Sequence, residues 1–130
     1  MANAPANLNF TGIIPREDMV DYYNIADLFL LPSFEELFPM AVLEAFSTET
    51  PVMVRDLSLY EKIITPYAVM AKDVDAMQTK INQLAVDPDL LATYAKRVRQ
   101  RPPSIQRIIW QNLGAVLYRT GQIESYNGFI

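Results

Sequence analysis
The sequence predicts an α/β domain built on a parallel sheet, and three features of the chain carry that expectation. Short apolar runs alternate with segments whose apolar residues recur at helical spacing. The runs are unbroken, as suits strands covered on both faces; a half-exposed strand would alternate with polar residues. Proline, glycine or a charged pair closes most of them. Ligands of such sheets bind outside the carboxyl ends of the strands. The segments to inspect for function are therefore residues 12–15, 32–40 and 55–61.

Residues 8–12 read as a short strand ended by Gly12. Pro15 suits a first helical turn, and Glu17 and Asp18 suit its positive end. Met19, Tyr22, Tyr23 and Ala26 follow at helical spacing. Asp27 precedes the apolar run 28–31, which Pro32 stops. A second helix is expected to begin near Pro39 and to turn Met40, Leu43 and Phe46 inward. Pro51 introduces a strand over 52–54, closed by Arg55 and Asp56, and residues 67–71 form a fourth run, giving about four strands.

The rest reads as C-terminal helices. Asp73 can cap one with Val74, Met77, Ile81 and Leu84 on one face. Asp87 and Pro88 open another, with Leu91, Tyr94, Ala95 and Val98 inward, broken by Pro102 and Pro103. Ser104 is expected to cap a last amphipathic helix through Ile105, Ile108, Ile109, Leu113, Val116 and Leu117, punctuated by Gly114 and ended by Gly121. The tail to Ile130 reads as irregular, and Trp110, Tyr22 and Tyr23 read as packing residues.

Composition narrows the chemistry. The 130 residues are one domain's worth of chain, and 51% hydrophobic with 20% charged residues fits a globular protein rather than a disordered one. A net charge of −4 argues against a dedicated nucleic-acid binder. Without cysteine or histidine there is no disulfide, no thiolate or imidazole metal site, and no Cys- or Ser–His nucleophile system. Any chemistry rests on carboxylates, backbone amides, hydroxyls and a few basic groups. No run approaches the ~18 apolar residues of a membrane span, and the first seven residues lack a signal-like pattern, so a cytoplasmic domain is expected. Six of the eleven basic residues fall at 96–130, with one acid. The stretch 96–107 fits either a contact with anionic lipid, at the inner face of a membrane, or a solvated face with favourable charge at a helix C-terminus.

The densest chemistry lies in residues 32–45. Glu36 falls in a strand-to-helix loop and Glu44 in the second turn of the helix that follows. Between them a helix N-terminus offers free amides to an anion. Two carboxylates for hydroxyls and amides for a diphosphate would suit a nucleotide sugar. The competing reading is structural: Ser33 and Glu36 have capping-box spacing, and Glu44 can be a solvated helix residue. No Gly-x-Gly-x-x-Gly, no phosphate-loop Gly-Lys-Ser/Thr and no receiver-type acidic cluster is present.

Residues 26–33, with Glu36, Phe38, Leu43, Glu44, Ala45, Pro51 and Val52, resemble the C-terminal nucleotide-sugar-binding domain of GT-B-fold retaining glycosyltransferases of the group 1 type. Asn9, Phe10, Thr11 and Gly12 before the motif, and Asp56, Leu59, Tyr60 and Glu61 after it, extend the similarity over residues 8–64 and more weakly to Tyr118. Residues 36–40 and 54–57 are most similar to enzymes of Gram-positive bacteria, some of which glycosylate diacylglycerol lipids. The resemblance implies a partial Rossmann-like domain and transfer of a hexosyl group from a nucleotide-diphosphate sugar to an acceptor hydroxyl of a glycolipid or polysaccharide. It assigns Glu36 to the donor sugar near the reacting carbon and Glu44 to the ribose. It also assigns the amides of Phe38, Met40 and Ala41 to phosphates and sugar, and Gly12, Ile13 and Ile14 to the surroundings of the base. No metal and no cofactor beyond the donor are implied. A nucleotide-sugar epimerase of the same fold and a non-catalytic interaction module are the alternatives.

The chain departs from the family pattern in two ways. Leu37 and Pro39 flank Phe38 where glycines are common, and Pro39 has no N–H to donate. Nothing matches the acceptor-binding domain, or the two strands and basic pair that precede residue 8 in the family. The expectation is a truncated donor-binding domain over 1–130, inactive alone and lacking its N-terminal partner domain. The gap in its sheet would be closed either by a homodimer or by moving the first strand inward.

Overall fold
The computed structural model describes residues 4–113, 116–117 and 123–124. A 3-10 turn (Arg16–Asp18) leads into α1 (Met19–Ile25), followed by β1 (Phe29–Leu31), α2 (Met40–Ser47) and β2 (Val52–Arg55). A second 3-10 turn (Ser58–Tyr60), β3 (Val69–Ala71), α3 (Val74–Val86), α4 (Pro88–Arg99) and α5 (Pro103–Leu113) come next. The three strands form a parallel sheet in the order β1-β2-β3. This is the α/β, Rossmann-like arrangement expected from the sequence.

The pleat of β2 divides the core. Val52 and Val54 join one cluster with Tyr23 of α1, Val42, Leu43, Ala45 and Phe46 of α2, and Ile105 and Ile109 of α5. Met53 points the other way, to Val69, Ala71, Met77 and Leu84, with Leu91 and Tyr94 of α4 packed against them. Helices thus cover both faces, and all four residues of β2 are buried. The edge strand β1 differs. Phe29 and Leu31 share the face of Val52 and Val54, but Leu30 pairs with Met53 and remains 38% exposed. The run 28–31 is therefore covered on both faces only in part: Leu28 packs against the second cluster, whereas Leu30 stays exposed.

Helix starts follow the sequence closely. The Asp73 carboxylate accepts from Ala76 N–H at 2.8 Å, and that of Asp87 accepts from Leu90 N–H at 2.9 Å. Pro88 occupies the first turn of α4. Met77 and Leu84 are buried as expected, whereas Val74 and Ile81 on the same helix stay exposed.

Three expectations are corrected. Residues 8–12 form no strand: Leu8 is 50% and Phe10 62% exposed, and Leu8 N–H donates within the local chain, to Pro5 O. An apolar run becomes a strand only beside a partner ladder, and this segment neither pairs with β1 nor moves inward, so the parallel sheet has three strands rather than four. Secondly, α5 begins at Pro103, so Ser104 lies inside its first turn instead of capping it. Thirdly, α5 ends at Leu113, and Val116–Leu117 pairs antiparallel with Ile123–Glu124 as β4 and β5. Helix termination there directly precedes Gly114, a residue type that weakens helix interiors. Gly114, Gly121, the side chain of Trp110 and residues 125–130 lie outside the described residues.

A buried hydroxyl pair joins α1, α2 and β2. Thr50 Oγ1 donates to Tyr23 O at 2.8 Å and lies 2.8 Å from Thr48 Oγ1, which reaches Ala45 O at 2.9 Å. Between them Glu49 adopts φ 61°, and its carboxylate accepts from Arg99 Nε at 2.8 Å. Replacing the Thr50 hydroxyl by a methyl removes the shorter of two hydrogen bonds to Tyr23 O and leaves only that from Ala26 N–H, at 3.3 Å. Thr50→Val is expected to destabilise the fold by roughly 0.5–1.5 kcal/mol in urea unfolding, although the two side chains have nearly the same shape.

Candidate functional site
The loops that leave β1 and β2 enclose an open cavity of ≈ 530 Å³ at the carboxyl edge of the sheet. Phe34, Glu35, Glu36 and Leu37 form one wall, and Leu57, Ser58 and Leu59 the other. This is where a parallel α/β sheet places its ligands. Glu36 stands in the cavity wall and Leu37 beside it is 98% exposed. The Ser33–Glu36 capping box does not form: α2 starts at Met40, its N-cap is Pro39, and no side chain caps it. The loop is too long for a residue at position 36 to serve as the third residue of that helix.

Arg55 ties the strand ends together beneath this loop. It is 9% exposed at the end of β2. Its Nε–H donates to Pro32 O, just past β1, at 3.4 Å, and an Nη1–H donates to Lys72 O, just past β3, at 3.1 Å. The guanidinium also lies 4.1 Å from the centroid of the Phe34 ring. The burial of this guanidinium is offset by the two carbonyl dipoles and the negative face of the ring.

Tyr60, at the end of the second 3-10 turn, is fully buried. Its hydroxyl has no hydrogen-bond partner among the described residues. Burial, and secondarily the charge of Glu36, push the phenol above its ordinary value.

Glu44 belongs to a different group. From α2 it accepts a hydrogen bond from Tyr23 Oη at 3.1 Å on Oε2, while Arg16 Nε lies 3.7 Å from Oε1. Burial raises the Tyr23 phenol strongly, and the Glu44 carboxylate raises it further by charge and by the hydrogen bond. Glu44 is thus held by α1 and the turn before it, outside the lining of the Glu36 cavity.

Among the amides, Met40 N–H donates to Phe38 O at 2.9 Å, and Leu43 N–H donates to Pro39 O at 3.1 Å. Ala41 N–H, in the first turn, has no intrahelical acceptor. Gly12 adopts φ 69° in open space, and Ile13 beside it is fully exposed. These residues do not line the cavity. Among the described residues no group of three carboxylates converges as a metal ion would need. The basic stretch has partners within the chain: Arg99 pairs with Glu49, Arg97 stacks 4.9 Å from the Tyr94 ring centroid, and Arg101 donates to Val98 O and to Gln106. No described helix is long and apolar enough to cross a membrane.

Arg55 and Tyr60, next to the cavity lining, lie in the segment 55–61 that the sequence marks for inspection, but sequence reasoning assigned neither a place at the site. The charged residue closing an apolar run was visible, but not the convergence of three strand ends on it.

The family model described as glycosyl transferases group 1 matches residues 2–101, and the chain belongs to that family. It is 41% identical over 107 residues to the alpha-galactosylglucosyldiacylglycerol synthase of Streptococcus pneumoniae, an alignment covering 82% of this chain and 28% of that relative. It is 32% identical over 82 residues to O-antigen chain mannosyltransferase B of Escherichia coli, covering 62% of this chain and 22% of that relative. The chain spans less than a third of the length of these relatives.

The two raised tyrosines set an alkaline limit. A phenol whose folded value lies above its unfolded value, about 10, costs no stability while both states remain protonated. Above that point the unfolded chain releases protons first, so stability should fall as pH rises. Tyr23→Phe should flatten this alkaline loss, as measured by urea unfolding at a series of pH values from neutral to strongly alkaline.

Proposed function
We propose that this segment holds the nucleotide-diphosphate sugar of a retaining hexosyltransferase, which passes the sugar to an acceptor hydroxyl. The observation that carries the reading is the position of Glu36, in a cavity wall at the carboxyl edge of the sheet in a group 1 glycosyltransferase. There its carboxylate would orient the sugar and favour positive charge developing at the anomeric carbon. Glu44, already fixed by Tyr23 and Arg16, would accept hydrogen bonds from the ribose. The amides of Phe38 and Ala41 would meet the phosphates; that of Met40 would join them only by giving up Phe38 O. Gly12, Ile13 and Ile14 would lie by the base.

A glycolipid acceptor is favoured by the name of the streptococcal relative, a diacylglycerol glycolipid synthase. Such an enzyme would work at the cytoplasmic face of a membrane, without metal. The reaction also needs an acceptor-binding part, so the 130-residue chain alone should bind nucleotide weakly and transfer no sugar, since positioning supplies much of catalysis.

Glu36→Gln, in the longer protein carrying this segment, should lower turnover at least ~100-fold with folding intact. Glu44→Ala should mainly weaken donor affinity, by roughly 1–3 kcal/mol. Steady-state kinetics with varied donor separates the two effects, and full activity of the Glu36 variant would leave that residue a loop residue only. In the chain itself, titration with a nucleoside diphosphate should first shift the amides of residues 12–14 and 38–44 in NMR spectra. Shifts confined to residues 96–107 would indicate charge attraction alone.

A further inference from the structure
We infer that Arg55 and Phe34 are positioning residues: stacked together, they fix the backbone of residues 35–37 and so set where the Glu36 carboxylate stands in the cavity. Three observations meet here. Arg55 is bound to backbone carbonyls on both flanking strand ends, Pro32 O and Lys72 O, so its guanidinium is immobilised with respect to the sheet. The Phe34 ring rests on that guanidinium, 4.1 Å from its carbon to the ring centroid. Phe34 itself lines the cavity, two residues before Glu36.

The rest of the loop has little else to hold it. The Phe34 ring is 77% exposed and Leu37 98%, so neither is packed into the core. Glu36 makes no hydrogen bond or ion pair among the described residues. A phenylalanine left mostly in water contributes little to core packing. Its face over a fixed cation, in contrast, gives the loop a defined anchor. Tyrosine or tryptophan would keep this contact; leucine, similarly apolar, would not.

The catalytic part of the inference rests on the donor-sugar reading of Glu36, whereas the structural part stands without it. Arg55 is a poor first target, because its removal strands two carbonyls and can unfold the sheet. Phe34 is the better one. The 15N-labelled chain, without nucleotide, is compared as wild type, Phe34→Leu and Phe34→Tyr. Phe34→Leu should leave the melting temperature unchanged while increasing the fast motion of the amides of residues 35–37, and Phe34→Tyr should restore them. In the longer protein, Phe34→Leu should lower kcat about 10- to 100-fold with little change in donor KM, as expected when a reacting group is misplaced rather than lost, and Phe34→Tyr should recover it. Unchanged amide motion in Phe34→Leu, or a large fall in its melting temperature, would overturn the anchor. If Glu36→Gln transfers sugar normally while Phe34→Leu still loosens the loop, the anchor holds and the donor-sugar reading fails.

Discussion
Arg55 places a buried positive charge where three parallel strands end. Parallel strands present carbonyls at their carboxyl ends that the ladder no longer satisfies, and an unpaired buried carbonyl is costly. The planar fork of a guanidinium can bind acceptors on two sides at once and still offer a face to a ring, which an ammonium cannot do. With Arg55 in place, the exits of β1 and β3 are held at fixed distances from β2. The loops that start from those exits inherit that geometry, and the cavity is the space between two of them.

The second organising constraint is the pleat. Val52 and Val54 look toward α1, α2 and α5, while Met53 looks toward α3. Because α2 carries Val42, Leu43, Ala45 and Phe46 into the first cluster, its remaining side holds Glu44 toward Tyr23 and Arg16. The two glutamates of the motif therefore reach different surroundings by ordinary packing. Glu36 stands in an open loop and Glu44 in a half-buried polar contact. A single polypeptide stretch thus supplies one carboxylate with no hydrogen bond or ion pair of its own among the described residues and one held by a hydrogen bond and an ion pair.

Much of this was legible in the sequence. The runs at 28–31, 52–54 and 67–71 became strands, and Asp73 and Asp87 became caps, because the causes are local: apolar periodicity and a side-chain oxygen next to a helix start. Residues 8–12 looked equally apolar, but a strand also needs a neighbour, and sequence periodicity does not report one. The Ser33–Glu36 spacing suggested a cap that the helix start at Met40 leaves unused. Family resemblance placed Glu36 and Glu44; the side-chain frame around them was hidden. Nothing near Arg55 indicates that acceptors at Pro32 and Lys72 converge on it, and nothing near Tyr60 marks its hydroxyl as buried without a partner among the described residues.

The reach of Arg55 along the chain also bears on how the protein matures. One acceptor lies 23 residues before it and the other 17 after. A polypeptide emerging from the ribosome presents its N-terminal part first. Every cavity-lining residue, the last being Leu59, is therefore synthesised before Lys72 exists. The nascent chain carries a complete set of lining residues on an unfastened frame, and the frame closes only when β3 adds to the growing sheet. Assembly of the cavity is in this sense a late event, timed by a strand that contributes no residue to its walls.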